Sequence, residues 1–175
     1  MLEKRVPGDQ QTAGRYTVVP RTLIFLEHNR HLLLLCGAAH KWFAGRYNGL
    51  GGHVEPGEDV HTAALREVEE ESGLRPDTLH LRGVVHVTGP LPGVLLFIFH
   101  ATVAHPSPLI TSDEGVLEWV PLDRLEHYPL LPDVRWLIPH VVGPHQSLLF
   151  ATFELDESTI TVRTADGTSL RLHSA

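Results

Sequence analysis

Cysteine, long apolar runs and blocks of positive charge are all scarce in this chain of 175 residues. The single cysteine, Cys36, excludes a disulfide within the chain, and its place in the apolar run HLLLLCG predicts a buried strand thiol in a reducing compartment. No run approaches the roughly 20 apolar residues of a membrane-spanning helix, and the polar N-terminus lacks the apolar stretch of a signal peptide. We therefore expect a cytoplasmic protein without a membrane partner.

The net charge limits the classes of binding partner that we expect. The formal net charge is −7, and no segment is rich in lysine or arginine. Because binding along a nucleic-acid backbone needs many positive side chains, we expect no nucleic-acid polymer as a partner. A small phosphorylated ligand stays open, since a divalent cation can neutralise both such a ligand and an acidic site.

The chain is long enough for one compact domain. Its 42% hydrophobic content supports a substantial core, and we predict a single domain over residues 16–175 after a flexible segment of residues 1–15. Two apolar runs of strand length, 21–28 and 31–37, are separated by only two residues. They predict a hairpin that is buried on both faces.

Strand and helix signals alternate along the rest of the chain. A helix is predicted over 58–72, and a second one, interrupted by Pro139, over 131–142. The loop from 37 to 57 carries no predicted strand. Further strands are predicted by the apolar runs 81–89, 93–103, 116–122, 147–155, 159–164 and 169–172. A mixed sheet with two main helices follows, in an α+β or layered α/β/α domain.

The first predicted helix contains the sequence REVEEESG, which places four carboxylates within five residues. At about 100° per residue, Glu67, Glu70 and Glu71 share an arc of roughly 100°, whereas Glu69 points away and is expected to be solvated. Three carboxylates on one rigid face make an oxygen-rich site suited to Mg²⁺ or Mn²⁺. An exposed acidic helix face is the alternative, and by charge pattern alone it is the commoner one.

The residues that flank these carboxylates decide between the two interpretations. The stretch GHVEPGEDVHTAALREVEEESGL resembles the full signature of the Nudix hydrolase family, with Gly52, Glu58 and residues 66–74 in register. The resemblance implies an α+β fold, the Nudix α/β/α sandwich with a mixed sheet and a catalytic loop–helix–loop. It also implies a Mg²⁺-dependent enzyme that hydrolyses a nucleoside diphosphate linked to a further group.

The resemblance also implies which residues hold the metal. Glu67, Glu70 and Glu71 match the carboxylates that bind the divalent cations in the family. Gly52 ends a loop, where a residue without Cβ lets its carbonyl approach a metal or phosphate. Glu114, outside the signature, is the candidate for a further carboxylate that completes the metal site or accepts the proton of the attacking water.

Other positions of the signature are expected to support this site. Glu58 and Arg66 are placed to pair across the junction of loop and helix, and the guanidinium can then orient Glu67. Arg66 is thus expected to support the carboxylates and not to clamp the substrate. Gly57 precedes the helix, and Gly73 follows it where a left-handed C-cap is expected.

A closer resemblance concerns the substrate. The stretches GRYNGLGGHVEPGE, SDEGVLEWVPLDRL, LLPDVRWLIP and FATFELDESTITV are similar, in order and spacing, to the mammalian-type branch of the MutT-like enzymes. That branch hydrolyses oxidised purine nucleoside triphosphates such as 8-oxo-dGTP to monophosphate and pyrophosphate. Asn48 and Asp133 match the residues that read the purine from two sides. The alternatives are a turn residue before Gly49 for Asn48 and a helix N-cap for Asp133.

Three positions depart from that branch. Val134 stands where a second acid follows Asp133, Leu131 stands in place of an indole that stacks on the base, and His53 replaces a common lysine near the phosphates. A second enzymatic interpretation therefore keeps the chemistry and changes the substrate to ADP-ribose, a nucleotide sugar or a dinucleoside polyphosphate. A third is a nucleotide-binding sensor without turnover, although the intact carboxylate set of the signature speaks against it. In each case the partner is a small-molecule nucleotide.

Overall fold

The computed structural model describes residues 15–89, 91–106, 109–110, 113–143 and 147–173. The predicted flexible segment 1–15 lies outside these ranges except for Arg15. Within them, the helices are α1 (Val60–Ser72) and α2 (Pro132–Val141), and a 3₁₀-helix, which was not predicted, spans Leu122–His127. The strands are β1 (Val18–His28), β2 (His31–Gly37), β3 (Tyr47–Asn48), β4 (Thr78–Thr88), β5 (Gly93–Thr102), β6 (Gly115–Pro121), β7 (Leu149–Leu155), β8 (Thr159–Thr164) and β9 (Ser169–His173).

All of these strands join one mixed sheet, as the sequence predicted. Their order is β3-β2-β1-β5-β4-β7-β8-β9, and β6 pairs with β2 outside this path. The pairs β1–β5 and β4–β7 are parallel, and the other pairs are antiparallel. No helix within the described ranges is long and apolar enough to cross a membrane.

The predicted hairpin of β1 and β2 is confirmed, and both strands are buried on both faces. Its two-residue turn has φ of 46° at Asn29 and 61° at Arg30, the backbone of the tight turns that suit a twisted hairpin. Antiparallel pairing covers only three residues of each strand, from His28 opposite His31 to Leu26 opposite Leu33. Beyond that point the two strands diverge.

The segment 47–53 fills the gap between the diverging strands. On one side, β3 pairs with Leu35 and Cys36 of β2. On the other side, Ile24 of β1 exchanges backbone hydrogen bonds with Leu50, and the Thr22 N–H donates to the Gly52 carbonyl at 2.9 Å. The prediction of a loop without strands was wrong here, because β3 owes its pairing to a partner strand and not to its own two residues. The split places segment 47–53 inside the sheet.

The two helices pack on opposite faces of the sheet. Alternate residues of β1 divide between the faces: Ile24 and Leu26 join the core cluster of α1, whereas Leu23 and Phe25 join the larger cluster of α2. This division follows from the two-residue period of side chains along a strand. The predicted layered α/β/α sandwich is therefore confirmed.

Both ends of α1 have identifiable caps. The Asp59 carboxylate accepts hydrogen bonds from two backbone N–H groups of the first turn, so the helix begins at Val60 and not at the predicted Glu58. Gly57, just before it, has φ of 93°. At the other end, Gly73 adopts φ of 74°, and its N–H donates to the Glu69 carbonyl at 2.9 Å. The predicted left-handed C-cap at Gly73 is confirmed.

Helix α2 differs from its prediction in two respects. It continues through Pro139 to Val141, so the predicted interruption was wrong. Pro139 lies in the last turn and is exposed, so the hydrogen bond that it removes costs the helix little. The N-cap position is taken by Leu131, and Asp133 is the second residue of the helix. The interpretation of Asp133 as an N-cap was therefore wrong.

Candidate active site

A cleft of about 420 Å³ opens where the glycines of segment 47–53 meet α1. Its walls combine acidic side chains of α1 with basic side chains from β1 and from the loop after β2. The lining residues are Arg21, Lys41, Gly51, Gly52, His53, Glu55, Glu67, Glu70, Glu71 and Glu114. The structure thus brings together Gly52, His53 and the four carboxylates that the sequence singled out.

Glu71 forms the inner part of the cleft. The backbone N–H of Gly51 donates to Oε2 of Glu71 at 2.9 Å. Burial of this carboxyl group raises its pKa to about 7, and the negative charges of Glu67 and Glu114 act in the same direction. Gly51 has φ of 133°, and a Cβ there would lie 2.3 Å from the Thr22 carbonyl oxygen. Sequence reasoning missed Gly51, although the doubled glycine at 51–52 was a signal for it.

Gly52 lies against the carboxylate of Glu67. A Cβ at Gly52 would lie 2.5 Å from Oε1 of Glu67. The carbonyl of Gly52 already accepts the hydrogen bond from the Thr22 N–H. The structure thus adds a second reason for glycine here, because the missing side chain makes room for a carboxylate. The carbonyl keeps a second lone pair, so its predicted approach to a metal or phosphate stays a prediction.

Arg66 connects the loop before α1 to the carboxylates on α1. Its Nε and Nη2 donate to the two oxygens of Glu58 at 3.2 and 2.7 Å, so the expected pair is present. Nη1 donates to Glu67 and to Glu70, at 2.9 Å in each case, and Nη2 also donates to the His53 carbonyl. The hydrogen bonds with Glu58, the largest cause, hold the pKa of Arg66 above its usual value. The guanidinium therefore orients two cleft carboxylates from behind.

Lys41 enters the cleft from the loop between β2 and β3. No local sequence signal predicted that Lys41 belongs to the site. Its Nζ forms an ion pair with Glu114 at 2.5 Å. Glu114 reaches this place because β6, which begins at the next residue, pairs with β2. In addition, the N–H of Ala38 donates to the Glu114 carbonyl at 3.0 Å. The pairing of two distant segments thus adds one acid and one base to the cleft.

Glu69 points away from the cleft, as the helical geometry predicted. Its side chain is half exposed, yet it forms an ion pair with Arg75 at 2.6 Å. The expectation that Glu69 is merely solvated was incomplete in this respect. Both partners are exposed, and an ion pair of this kind contributes little to stability. Glu69 therefore serves as a natural control for the three other glutamates of the run.

The oxygen-rich lining of the cleft fits a hard divalent cation such as Mg²⁺ or Mn²⁺. In the part of the chain that the structure describes, no three metal-ligating side chains are gathered closely enough to form a coordination sphere as they stand. Arg66 holds Glu70, and Lys41 holds Glu114. Because the Glu70 side chain is 60% exposed, a change of rotamer would release it toward Glu67 and Glu71.

Asn48 is the last residue of β3, three residues before Gly51. Its Oδ1 accepts a hydrogen bond from the Gly49 N–H at 2.8 Å. Because that neighbour is a donor, the oxygen of the amide must face it, and the Nδ2 group faces outward. Within the described residues Nδ2 has no acceptor. Asn48 belongs to a strand and not to the turn of the alternative interpretation.

The start of α2 lies beside β3. The N–H of Leu131 donates to the Tyr47 carbonyl at 3.1 Å, which places the segment leading to Asp133 next to the one leading to Asn48. Burial raises the pKa of the Asp133 carboxyl group. Leu131 is only 3% exposed and packs into the larger core cluster, so a ligand does not reach its side chain without movement.

The chain is similar in sequence and in fold to known proteins. A model of the NUDIX domain matches residues 17–141. The mouse oxidized purine nucleoside triphosphate hydrolase is 37% identical over 133 residues, which are 73% of this chain and 79% of the relative. The zebrafish protein of the same name is 36% identical over 107 residues, 59% of this chain and 68% of the relative. A MutT protein structure from Bacillus halodurans superposes with a TM-score of 0.68 at 25% identity, covering 87% of this chain and 95% of that chain.

Proposed function

The chain belongs to the Nudix hydrolase family, whose members act on phosphoric anhydrides, and from that premise we propose that it hydrolyses an oxidised purine nucleoside triphosphate. The leading substrate is 8-oxo-dGTP, with the monophosphate and pyrophosphate as products. The mouse and zebrafish relatives carry that activity in their names, and this chain covers 79% and 68% of their lengths.

The observation that carries the choice of substrate is the fixed amide of Asn48. Its oxygen is tied to the Gly49 N–H, so its Nδ2 group is left to donate to a ligand. Asp133 stands on the adjoining segment, where burial raises the pKa of its carboxyl group. A donor of fixed position favours one edge pattern of a purine, because a wrong base leaves it unpaired at a cost of about 1–3 kcal/mol.

The carboxylate cleft supports the hydrolytic part of the proposal. Glu67, Glu70 and Glu71 would hold Mg²⁺, which supplies neutralisation of the phosphate charge and activation of water when it is bound. Arg21 and Lys41 line the same cleft and would attract the phosphate chain. Lys41 thereby replaces, from another loop, the positive charge that is lost where His53 follows the glycines. Glu114 is the candidate to accept the proton of the attacking water.

A screen of substrates with Mg²⁺ tests this proposal. It compares 8-oxo-dGTP, dGTP, ADP-ribose, a nucleotide sugar and a dinucleoside tetraphosphate, and identifies the products of each. We expect kcat/KM for 8-oxo-dGTP to exceed that for dGTP by at least about tenfold, the worth of one mismatched hydrogen bond. A higher kcat/KM for ADP-ribose or the nucleotide sugar would overturn the choice of substrate.

One observation favours a second candidate. Leu131, at the position where an indole would stack on the base, is buried in the core and offers no platform for stacking. A Nudix hydrolase with the same chemistry but a substrate such as ADP-ribose, a nucleotide sugar or a dinucleoside polyphosphate does not need that platform. A sensor without turnover would bind a nucleotide in the same screen and release no product.

A further inference from the structure

A second groove, of about 460 Å³, shares no lining residue with the carboxylate cleft. We call it the basic groove, because Arg46, Arg135, Arg171 and His173 line it and no acidic residue does. These four residues come from three segments: the loop before β3, helix α2 and strand β9. In a chain with a net charge of −7, three arginines in one groove without an acidic residue are unexpected.

The curl of the sheet creates this groove. Strands β3 and β9 are the two ends of the strand order, yet residues next to β3 and residues of β9 line the same groove. Leu172 packs against the larger core cluster, which contains the buried face of α2. The C-terminal hairpin thus wraps around α2 and brings Arg171 to the loop of Arg46. Because β9 lies beyond residues 17–141, the groove is not contained in the part that matches the family.

Two arginines of the basic groove, Arg135 and Arg171, are held differently from an exposed arginine on the neighbouring strand. Arg135 donates to the Tyr128 carbonyl at 2.8 Å, which fixes its guanidinium without neutralising it. Arg171 makes no hydrogen bond or ion pair through its side chain within the described residues. By contrast, Arg163 on the neighbouring strand β8 pairs with Glu154 at 2.8 Å. A guanidinium stays charged at any physiological pH, so Arg135 and Arg171 keep their positive charges in the groove.

The shape and chemistry of the groove indicate its ligand. Three arginines that line one groove from three segments can supply donors to a tetrahedral anion with several oxygens, whereas a planar carboxylate is satisfied by one arginine fork. The rest of the lining is apolar, with Leu130, Leu172 and two prolines. Its volume is within the range of small-molecule sites. We propose that the basic groove is a second binding site, for a small molecule that carries a phosphate group.

A titration of the metal-free full chain tests the proposal. The ¹⁵N-labelled protein in EDTA receives inorganic phosphate, pyrophosphate or deoxyguanosine monophosphate, with chloride balancing the ionic strength. We expect saturable shifts of the backbone amide signals of Arg46, Arg135 and Arg171. The Arg171→Gln variant is expected to bind roughly tenfold more weakly, because one charged hydrogen-bonding partner is removed. A stronger response to the nucleotide identifies a nucleoside phosphate as the ligand, and an equal response identifies the free anion.

Arg163→Gln is the matched control. It removes the same charge from the same hairpin outside the groove, so its affinity should equal that of the parent chain. Shifts that do not saturate, an unchanged affinity in Arg171→Gln, or an equal loss in Arg163→Gln would overturn the proposal. The proposal does not rest on the proposed hydrolysis, since no metal is present and no turnover is measured. A failed substrate screen and a failed titration are therefore separate results.

Discussion

The carboxylate cleft and the basic groove are similar in size, about 420 and 460 Å³, and opposite in charge. The carboxylate cleft takes three of its four candidate metal-binding acids from one helix, so these acids lie close together in the sequence. The basic groove takes its three arginines from three segments that lie far apart in the chain. The helical repeat sets the relative positions of charges on one helix. The charges of the groove are brought together by the curl of the whole sheet. The following predictions separate the two regions, from the largest expected effect to the smallest.

Glu71→Gln should have the largest effect, because it removes a charge from the inner part of the carboxylate cleft. We expect kcat to fall on the order of 10²–10³-fold, as for other single groups that stabilise charge in a transition state, while thermal unfolding stays cooperative. Glu69→Gln on the same helix is the matched control and should retain full activity, since Glu69 faces Arg75. Equal activities of the two variants would show that the metal assignment is wrong.

Gly52→Ala tests whether the space beside Glu67 is needed. The added Cβ would meet the Glu67 carboxylate at 2.5 Å and displace it. We expect kcat/KM to fall by about tenfold to a hundredfold, in keeping with the cost of a misplaced catalytic group. Gly83→Ala is the control, because a Cβ there meets its nearest atom at an ordinary 3.4 Å. Steady-state kinetics would contradict the interpretation if Gly52→Ala lost no more activity than Gly83→Ala.

Asn48→Ala and Asp133→Ala address the choice of base. Each variant should lower the ratio of kcat/KM for 8-oxo-dGTP over dGTP by about tenfold, since one base-reading group is lost, and should reduce basal hydrolysis of dGTP less. The measurement is the ratio for each variant beside that of the parent chain. If both variants discriminate as well as the parent, Asn48 and Asp133 do not read the base.

Lys41→Met removes the positive charge that pairs with Glu114 in the carboxylate cleft. We expect KM for the triphosphate to rise about threefold to tenfold with a smaller change in kcat, because a lost attraction to the phosphates weakens binding of substrate and transition state alike. The effect should shrink at high salt, where charges are screened. Arg75→Met removes a charge far from the cleft and should leave KM unchanged. If it changed KM as much as Lys41→Met does, Lys41 would not contribute specifically to substrate binding.

Arg171→Gln should have the smallest effect on hydrolysis. Because the basic groove shares no residue with the carboxylate cleft, we expect kcat/KM for the best substrate to stay within about twofold when no other phosphate compound is present. A loss comparable to that of Lys41→Met would mean that the groove forms part of the substrate site, and the two regions would then be one.

Parts of the fold and of the carboxylate cleft were readable because their signals are local. The hairpin of β1 and β2 follows from two apolar runs around a two-residue turn, and α1 follows from its helix formers and from Gly73. The arc of Glu67, Glu70 and Glu71 follows from the helical period. Each of these statements uses residues within about one turn or one strand of each other, where geometry depends little on the rest of the chain.

Other parts depended on partners that are distant in the chain. Gly51 binds Glu71 and β3 pairs with β2 only because segment 47–53 enters the gap between two diverging strands. Lys41 reaches Glu114 across two loops. Pro139 was misread because a proline in the last exposed turn of a helix removes one hydrogen bond and no packing. Apart from the doubled glycine at 51–52, neighbouring residues carried no signal for these outcomes.

By itself, the sequence determined the family of this protein, the layered α+β class and the set of carboxylates, because these are properties of short spacings on regular elements. The tertiary structure alone decided that Gly52 leaves room for the Glu67 carboxylate, that Lys41 and Glu114 face the same cleft, and that Arg171 and Arg46 line the same groove. The physical reason is that contacts between distant segments are set by sheet pairing, twist and packing. Those act over the whole domain at once.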